Sequence, residues 1–278
     1  MRIHHLNCGT MCVRGRFLVN DSGGLFAKAH LVCHCLLIES DAGLILVDTG
    51  IGMQDILKPE KRIGRLNLKM LLPALKPEES ALKQVATLGF KASDVRHIIV
   101  THLDLDHIGG IADFPQAQIH IFKTEYETGV VSPGLMQLLR YRRIQWNHHP
   151  VWDPRSLHGE QWFGLESVQA LEDKLPEILI VPLAGHTPGH SGIAVKTDNG
   201  WLFHCGDAYF YHAEVSVTHP HCTPVLTILQ QFNVMDRDTR RANVERLRQL
   251  KQEHPGEVDL FCSHDPSDFE RLQHKNSQ

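Results

Sequence analysis

The sequence predicts one α/β domain spanning residues 1–278, and three observations support this fold class. Short runs of β-branched and apolar residues, bounded by turn residues, recur along the chain and are typical of strands. The segment from Arg237 to His254 has the spacing of an amphipathic surface helix. No low-complexity linker or fixed-period repeat divides the 278 residues, so we expect a single unit.

The N-terminal half opens with a predicted strand pair in residues 31–50. The segments CHCLLIE and LILVDTG are apolar, and SDAG between them supplies the turn. Residues 53–92 are predicted to be helical, and KPEES opens a helix that continues through LKQVATLGF. Two further strands are predicted in RHIIVT (96–101) and QIHIF (118–122).

The pattern weakens between residues 125 and 165. There MQLLRYRRIQW is predicted to be helical and NHHPVWDPRSLHGEQW to be a loop. Strands are predicted again within residues 178–186, 192–210 and 258–264. The apolar stretch 66–75 is expected to pack in the core, with a cap over a hydrophobic substrate tail as the alternative.

Composition excludes several classes of function. A net charge of −4 does not suggest a nucleic-acid partner, and no segment resembles a secretory signal or a membrane span. Seven irregularly spaced cysteines indicate a reducing compartment, so we expect a cytoplasmic protein. A small-molecule substrate is the expected partner, and the oligomeric state stays open, with a homodimer as one option.

The most informative segment is THLDLDHIGG, which places His102, Asp104, Asp106 and His107 within six residues. It follows a predicted strand, and α/β folds place their chemistry at such strand ends. In extended backbone His102 and Asp104 point to the same side, whereas a turn directs Asp106 and His107 elsewhere. Any one of these residues could be a helix cap or a surface group. Together they are costly to bury without a metal ion.

Three later strand ends each present one further candidate ligand. These are His186 in LIVPLAGHTPGH, Asp207 in LFHCGDAYF and His264 in LFCSHDP. Small residues precede each of them and let the backbone turn closely around a site. Histidines and a carboxylate on separate strand ends are what a site for two metal ions requires, since one carboxylate can bridge both ions.

The order HxDxDH, GHTPGH, GDA and SHD resembles that of the metallo-β-lactamase superfamily of hydrolases. The superfamily signature is HxHxDH followed by His, Asp and His at later strand ends, and DTG at residues 48–50 is also typical of it. The resemblance extends from Cys33 to Asp265 and is strongest to the branch that holds the acyl-homoserine lactonases. It implies an αββα sandwich, in which helices flank two mixed β-sheets.

The resemblance also implies a dinuclear metal centre. One ion would be held by His102, Asp104 and His186, the other by Asp106, His107 and His264, and Asp207 would bridge them. Asp104 stands where the family motif has histidine. The expected ions are two divalent cations, and zinc is the first expectation. Iron and manganese are the alternatives, because a carboxylate is a harder ligand than an imidazole.

Two residues are candidates for catalytic roles beyond metal binding. Asp106 has a carboxylate oxygen that can carry a proton to the leaving group. Tyr209 is a candidate substrate contact, although the lactonase branch has its tyrosine three residues after the bridging aspartate and here the separation from Asp207 is two. In a strand such a shift turns a side chain to the opposite face.

The function implied is hydrolysis of an ester, lactone or thioester by a hydroxide held between two metal ions. An iron-dependent redox or dioxygenase-type enzyme on the same fold is the first alternative, and a small-molecule sensor with slow turnover is the second. His190 is expected to orient the loop around His186 rather than to bind metal. The arginines among residues 140–143 either meet an anionic substrate group or form a solvated helix face.

Overall fold

Two six-stranded mixed sheets form the centre of the molecule. The computed structural model describes residues 1–13, 17, 19, 24, 27–41, 43–171 and 177–275. The strands of the first sheet are β1 Arg2–Met11, β2 Leu31–Ser40, β3 Gly43–Val47, β4 Val95–Ile99, β5 Gln118–Phe122 and β6 Val151–Arg155. Those of the second are β7 Glu160–Trp162, β8 Leu165–Gln169, β9 Ile178–Pro182, β10 Ser191–Thr197, β11 Gly200–His204 and β12 Val258–Phe261.

Strand order follows the chain in both sheets, but strand direction differs between them. In the first sheet β1, β2 and β3 are antiparallel neighbours, and β3 to β6 run parallel. In the second sheet neighbouring strands are antiparallel, except that β11 and β12 run parallel. Parallel strands need long crossovers, and those crossovers supply the outer helices.

The helices lie in the connections between strands and after the last one. They are α1 Met53–Leu57, α2 Pro59–Arg62, α3 Arg65–Leu71, α4 Ala81–Thr87, α5 Leu105–Ile108, α6 Lys123–Tyr126, α7 Leu135–Arg140, α8 Pro224–Asn233, α9 Arg237–Glu253 and α10 Pro266–Lys275. Short 3-10 turns occur at Pro77–Glu79, Ala92–Asp94, Ile111–Asp113, Arg143–Trp146 and His212–Val215, and one π-helical turn at Glu127–Val131. Within the described residues, every helix is too short or too polar to cross a bilayer.

Three apolar clusters hold the two sheets and the outer helices together in layers. Leu36, Ile45 and Ile180 belong to the cluster between the two sheets, where both sheets turn alternate side chains inward. The opposite face of the first sheet packs against α4, and that of the second packs against Leu247 and its neighbours on α9. This confirms the αββα sandwich that the resemblance implied.

The prediction of a loop over NHHPVWDPRSLHGEQW is wrong, because β6 and β7 lie within it. β6 pairs with β5 at the edge of the first sheet, where Pro154 is tolerated and polar residues face solvent. An edge strand lacks the apolar run of a buried one, so its sequence resembles a loop.

The helical segment predicted for residues 53–92 is interrupted. Four short helices and two 3-10 turns replace long helices, because Pro59 begins α2, Gly64 with φ +91° precedes α3 and Pro77 follows a further break. The expectation that the apolar stretch 66–75 packs in the core is met only in part, because Leu68, Leu71 and Leu75 are partly buried against a small apolar cluster. Leu66 and Met70 are exposed and line a cavity described below.

Candidate metal centre

The candidate ligands converge at one edge of the sandwich, where strands from both sheets end. His102 follows β4, and the short helix α5 carries Asp106 and His107. The second sheet contributes its candidates from the segments after β9, β11 and β12, which hold His186, Asp207 and His264 respectively. Asp104 is the N-cap residue of α5, but its side chain makes no capping hydrogen bond and points into the cluster.

The first group of ligand atoms comes from His102, Asp104, His186 and Asp207. Asp104 Oδ2 lies 3.2 Å from His102 Nε2 and 3.0 Å from His186 Nε2. Asp207 Oδ2 lies 3.9 Å from His102 Nε2 and 3.3 Å from His186 Nε2. Ligands bound tetrahedrally with bonds of about 2.1 Å are separated by roughly 3.4 Å, and these four distances lie near that value. The ligand atoms of His102, His186 and Asp207 all lie within 4.8 Å of one another.

The second group comes from Asp106, His107, Asp207 and His264. Asp207 Oδ1 lies 3.3 Å from His107 Nε2 and 3.1 Å from His264 Nε2, and Asp106 Oδ2 lies 3.7 Å from His264 Nε2. Asp207 therefore presents Oδ2 to the first group and Oδ1 to the second. The Cys33 thiol also borders this group, with its sulfur within 4.8 Å of ligand atoms of Asp106 and His264.

The far nitrogen of three histidines is held by a neighbour. His107 Nδ1 contacts Asp48 Oδ2 at 2.8 Å, His264 Nδ1 donates to the Val32 carbonyl at 2.8 Å, and His102 Nδ1 lies 3.0 Å from Thr101 Oγ1. A proton held on Nδ1 leaves the Nε2 lone pair facing the carboxylates. Two negative or lone-pair atoms face each other favourably only across a proton or a metal ion, so these residues fit a metal ion that displaces a proton.

Buried atoms of the cluster support the same fit. In the described residues His102 Nε2, His107 Nε2 and Asp207 Oδ1 are buried and make no hydrogen bond. Such atoms are costly unless something else satisfies them. Burial would raise the pKa of Asp207, but the nearby charges of His264 and His107 hold it well below its usual value.

Asp48 is a functional candidate that sequence reasoning left without a role. Its backbone has φ 55°, a conformation that aspartate tolerates, and its carboxylate accepts the backbone N–H and the hydroxyl of Thr101, each at 2.8 Å. Burial would raise the pKa of Asp48, but the charge of His107 and its hydrogen bond lower it. DTG at the end of β3 was the available signal.

Glu125 is a second residue that the sequence did not reveal. It lies on α6, is fully buried, and accepts hydrogen bonds from Leu103 N, Tyr141 Oη, Thr187 Oγ1 and Gly189 N at 2.7–3.1 Å. These donors belong to the segments that carry Asp104, Arg140 and His186. A Cβ on Gly189 would collide with the backbone of Glu125, so this close approach requires glycine.

Arg140 neither forms a solvated face nor is free for a substrate. Its guanidinium makes a two-pronged ion pair with Asp104 and lies 2.7 Å from His186 Nε2. Burial would raise the pKa of Asp104, but Arg140 holds it well below its usual range. Burial and the Arg140 charge lower the pKa of His186 to about 3, so its ring is neutral.

His190 has the orienting position expected of it. Its Nδ1 donates to the Leu183 carbonyl at 2.9 Å, and its Nε2 accepts the backbone N–H of Asp207 at 2.8 Å. Both ring nitrogens are therefore engaged, and the imidazole fixes the backbone that carries Asp207.

Tyr209 is not brought to the cluster. Its side chain is fully buried in the outer core between the second sheet and α9, where a substrate cannot reach it. The neighbouring Phe210 instead contacts the rings of His186 and His264, with centroids 5.9 Å and 5.2 Å apart. Tyr209 and Phe210 lie in the turn after β11, where Tyr209 faces the outer core and Phe210 faces the cluster.

A cavity of about 490 Å³ opens onto both ligand groups. Polar atoms of Asp104, Asp106, Asp207 and His264 lie at one end of it. Its remaining walls are mainly apolar and come from Met11, Val13, Leu31, Leu66, Met70, Leu71, Met136, Leu139, Phe210, Leu229, Phe232 and Met235. An apolar cleft with a few convergent polar groups is the usual form of a small-molecule site.

The chain is similar in sequence to metallo-hydrolases and lactonases. Residues 30–258 match the family model described as the metallo-beta-lactamase superfamily. A probable metallo-hydrolase of Mycobacterium tuberculosis is 40% identical over 268 residues, which cover 96% of this chain and 81% of the relative. An N-acyl homoserine lactonase of Bacillus cereus is 24% identical over 196 residues, covering 69% of each chain.

The fold is similar to that of a solved lactonase. An N-acyl homoserine lactone hydrolase, with the product N-hexanoyl-L-homoserine bound at its catalytic metal centre, superposes with a TM-score of 0.70 at 20% identity. The match covers 97% of this chain and 95% of that one. At this identity the likeness demonstrates a shared fold. The family model and the lactonase relatives confirm the resemblance of the sequence to the superfamily and its lactonase-like branch.

Proposed function

The chain belongs to the metallo-beta-lactamase superfamily and is a metallo-hydrolase, and we propose that it cleaves an ester, lactone or thioester bond with two divalent metal ions. One observation carries the proposal. Two groups of ligand atoms beside an apolar cavity share Asp207, with Oδ2 directed to one group and Oδ1 to the other.

The proposed ligand sets follow from these distances. His102, Asp104, His186 and Asp207 would hold the first ion, and Asp106, His107, His264 and Asp207 would hold the second. Bound divalent ions supply Lewis acidity toward a carbonyl oxygen and toward water. Zinc is the proposed metal, and iron or manganese the alternatives, because Asp104 adds a hard oxygen ligand.

Asp106 is the proposed proton carrier. Its Oδ2 lies 3.7 Å from His264 Nε2, and the side chain lines the cavity. Unlike Asp207, which lies within ion-pair distance of four histidines, Asp106 has a single histidine of the cluster within that distance among the described residues. A carboxylate placed in this way can take a proton from water and return it to the leaving oxygen or sulfur.

The cavity walls indicate the substrate class. Apolar side chains from β1, α3, α7 and α8 surround the path to the cluster, so an acyl chain would be buried there while its carbonyl reaches the polar end. The Bacillus cereus relative is a lactonase of N-acyl homoserine. We therefore propose an acyl ester, lactone or thioester with an apolar tail.

The experiment that tests the proposal is hydrolysis by protein stripped of metal and then reloaded. Acyl lactones, aryl esters and acyl thioesters are offered to metal-free protein and to protein reconstituted with zinc, manganese or iron. The proposal expects hydrolysis to appear only on reloading and to require two ions per chain. Oxygen uptake with one iron would favour the redox alternative, and tight ligand retention without turnover would favour a sensor.

A further inference from the structure

Arg140 is bound inside the candidate metal centre rather than at its mouth. The residue ends α7, and its Nε donates to Asp104 Oδ1 at 2.6 Å while Nη2 donates to Asp104 Oδ2. Nη1 donates to the Asn233 carbonyl at the end of α8 at 2.5 Å. Because Nε, Nη1 and Nη2 each donate to the protein, the guanidinium acts on the cluster, and the same side chain also lines the cavity.

The guanidinium uses atoms that the first ion would also use. Nη2 contacts Asp104 Oδ2 and lies 2.7 Å from His186 Nε2, and both atoms belong to the first ligand group. Arginine has donors only, so the His186 lone pair faces an N–H. An ion that binds His186 Nε2 and Asp104 Oδ2 must therefore displace this N–H or share the carboxylate with it.

The second group has no comparable cation. The contacts of its acidic residues within the described chain are to histidines, among them His264 Nε2 at 3.1 Å from Asp207 Oδ1. Each half of the cluster has one carboxylate besides Asp207, which is Asp104 in the first group and Asp106 in the second. Among the described residues, only the first group carries a permanent positive charge, that of Arg140.

We propose that Arg140 is the counter-charge of Asp104 and sets the affinity of the first metal ion, so that the second group loads first and more tightly. The inference rests on the proposed two-ion centre. Asp104 adds one negative charge where the superfamily motif has a neutral imidazole, and Arg140 returns the sum to its former value. In this chain the two residues form one functional unit.

Arg140 affects the free energy of both the metal-free and the metal-loaded protein. A guanidinium a few ångströms from a divalent cation repels it, so Arg140 destabilises the loaded first group. Without Arg140, the metal-free protein would hold the Asp104 carboxylate against buried groups with no ion-pair partner. A change that destabilises the metal-free state more than the loaded state tightens metal binding. The gain in binding free energy equals the difference between the two destabilisations.

Zn²⁺ titration against a chelator tests the proposal without any substrate. The wild-type protein is expected to show one tight and one weaker ion. Arg140→Gln should tighten the weaker ion by about tenfold or more, which corresponds to about 1.4 kcal/mol, and leave the tight one unchanged. Arg140→Lys, which keeps the charge, should stay close to wild type. Arg143→Gln removes a charge from an exposed neighbour and is the matched control.

A second pair of variants tests the functional unit directly. Asp104→His restores the imidazole but leaves Arg140 without its carboxylate, so the weaker ion should be lost or weakened by about tenfold or more. The double variant D104H/R140Q should recover it. Recovery of ion binding in the double variant also demonstrates that the loss in the single variant was not misfolding.

Two results would overturn the inference: an unchanged or weaker first ion in Arg140→Gln, or an equal effect of Asp104→His with and without Arg140. If either result were obtained with two ions still bound, the proposed hydrolase function would not be contradicted. Protein that binds no divalent ion in any variant would overturn both proposals together.

Discussion

Asp207 is the residue on which the candidate centre depends, because its two oxygens face different ligand groups. The seven candidate metal ligands could be predicted from the sequence, since each follows a strand and lies in a short polar motif. Asp48, Glu125 and Arg140 could not be assigned in this way. Their partners are distant in the chain, and only tertiary structure brings them to Thr101, Thr187 and Asp104.

Asp106→Asn tests the proton carrier. The amide keeps the size of the side chain and an oxygen ligand, but it cannot accept a proton at neutral pH. We expect turnover of an acyl substrate to fall by about 10²-fold or more, with two ions still bound. Steady-state kinetics and metal analysis measure the two effects. Asp238→Asn, at an exposed carboxylate on α9, is the control, and an unchanged kcat in Asp106→Asn would argue against the role.

Asp48→Asn tests the support behind His107. Asparagine tolerates the same backbone conformation, but its amide presents N–H donors where Thr101 and His107 also donate. We expect affinity for the second ion to fall by about 10–100-fold, measured by chelator competition. Asp198→Asn, in the exposed turn between β10 and β11, should leave it unchanged. Equal affinities in the two variants would contradict this account of Asp48.

The pH dependence of metal binding follows from the histidines of the second group. Burial would lower the pKa of His107, but Asp207 and Asp48 raise it well above its usual value, and Asp207 likewise raises the pKa of His264. The metal-free protein therefore holds protons that an ion must displace. The charged histidines contribute fully to the free energy of unfolding of the metal-free protein below their unfolded-state pKa of about 6.5. That contribution is lost as the pH rises through their pKa values in the folded protein.

The metal-loaded protein does not lose this stability as the pH rises, because its histidines are already deprotonated. The increase in Tm caused by saturating zinc should therefore be larger at about pH 8 than at about pH 6. Thermal unfolding with and without zinc at both pH values measures it. An increase that is equal at the two values, or larger at the lower one, would contradict proton-coupled binding.

Among the elements, α6 joins the loops of the first ligand group. Glu125 on this helix accepts donors from the segment after β4, from the segment that follows α7 and from the segment that carries His186. The sequence predicted the strands that end at the cluster well. It predicted the edge strand β6 and the short helices of residues 53–92 poorly, because exposed edges and proline-broken helices lack the periodicity of buried ones.

Glu125→Gln tests this junction. The carboxamide would direct N–H groups at some of the four donors that the carboxylate accepts, and leave them unsatisfied in a buried place. We expect the free energy of unfolding to fall by about 1–3 kcal/mol in chemical denaturation. Tyr141→Phe removes only one of the donors and should cost less. If Tyr141→Phe proved the more destabilising of the two, Glu125 would not be the centre of the junction.

At the scale of the whole molecule, the sandwich brings two sheets together so that their strand ends form one polar surface beneath an apolar cavity. The resemblance implied this architecture, whereas composition and periodicity indicated only an α/β protein. The role of residues 66–75 depended on tertiary structure, because an apolar helix face has the same sequence whether it packs in a core or lines a cleft. Leu66 and Met70 are exposed on the cavity wall.

Substrate length tests the cavity. Each methylene group buried against these walls is worth about 0.8 kcal/mol, so kcat/KM should rise by about fourfold per added methylene until the cavity is filled. Phe232→Ser should flatten that series, because the phenyl ring lines the cavity and is otherwise exposed. Val151→Ser, at an exposed edge-strand position, is the control. A series independent of chain length in the wild-type protein would exclude an acyl-chain role for the cavity.

The central claim is that two metal ions share Asp207. Anomalous X-ray scattering from crystals of metal-saturated protein tests it most directly, because it locates each ion and identifies the element. We expect two ions per chain, one bound by His102, Asp104, His186 and Asp207 and the other by Asp106, His107, His264 and Asp207. A single ion at saturation, or an Asp207 that contacts only one of two ions, would contradict the claim.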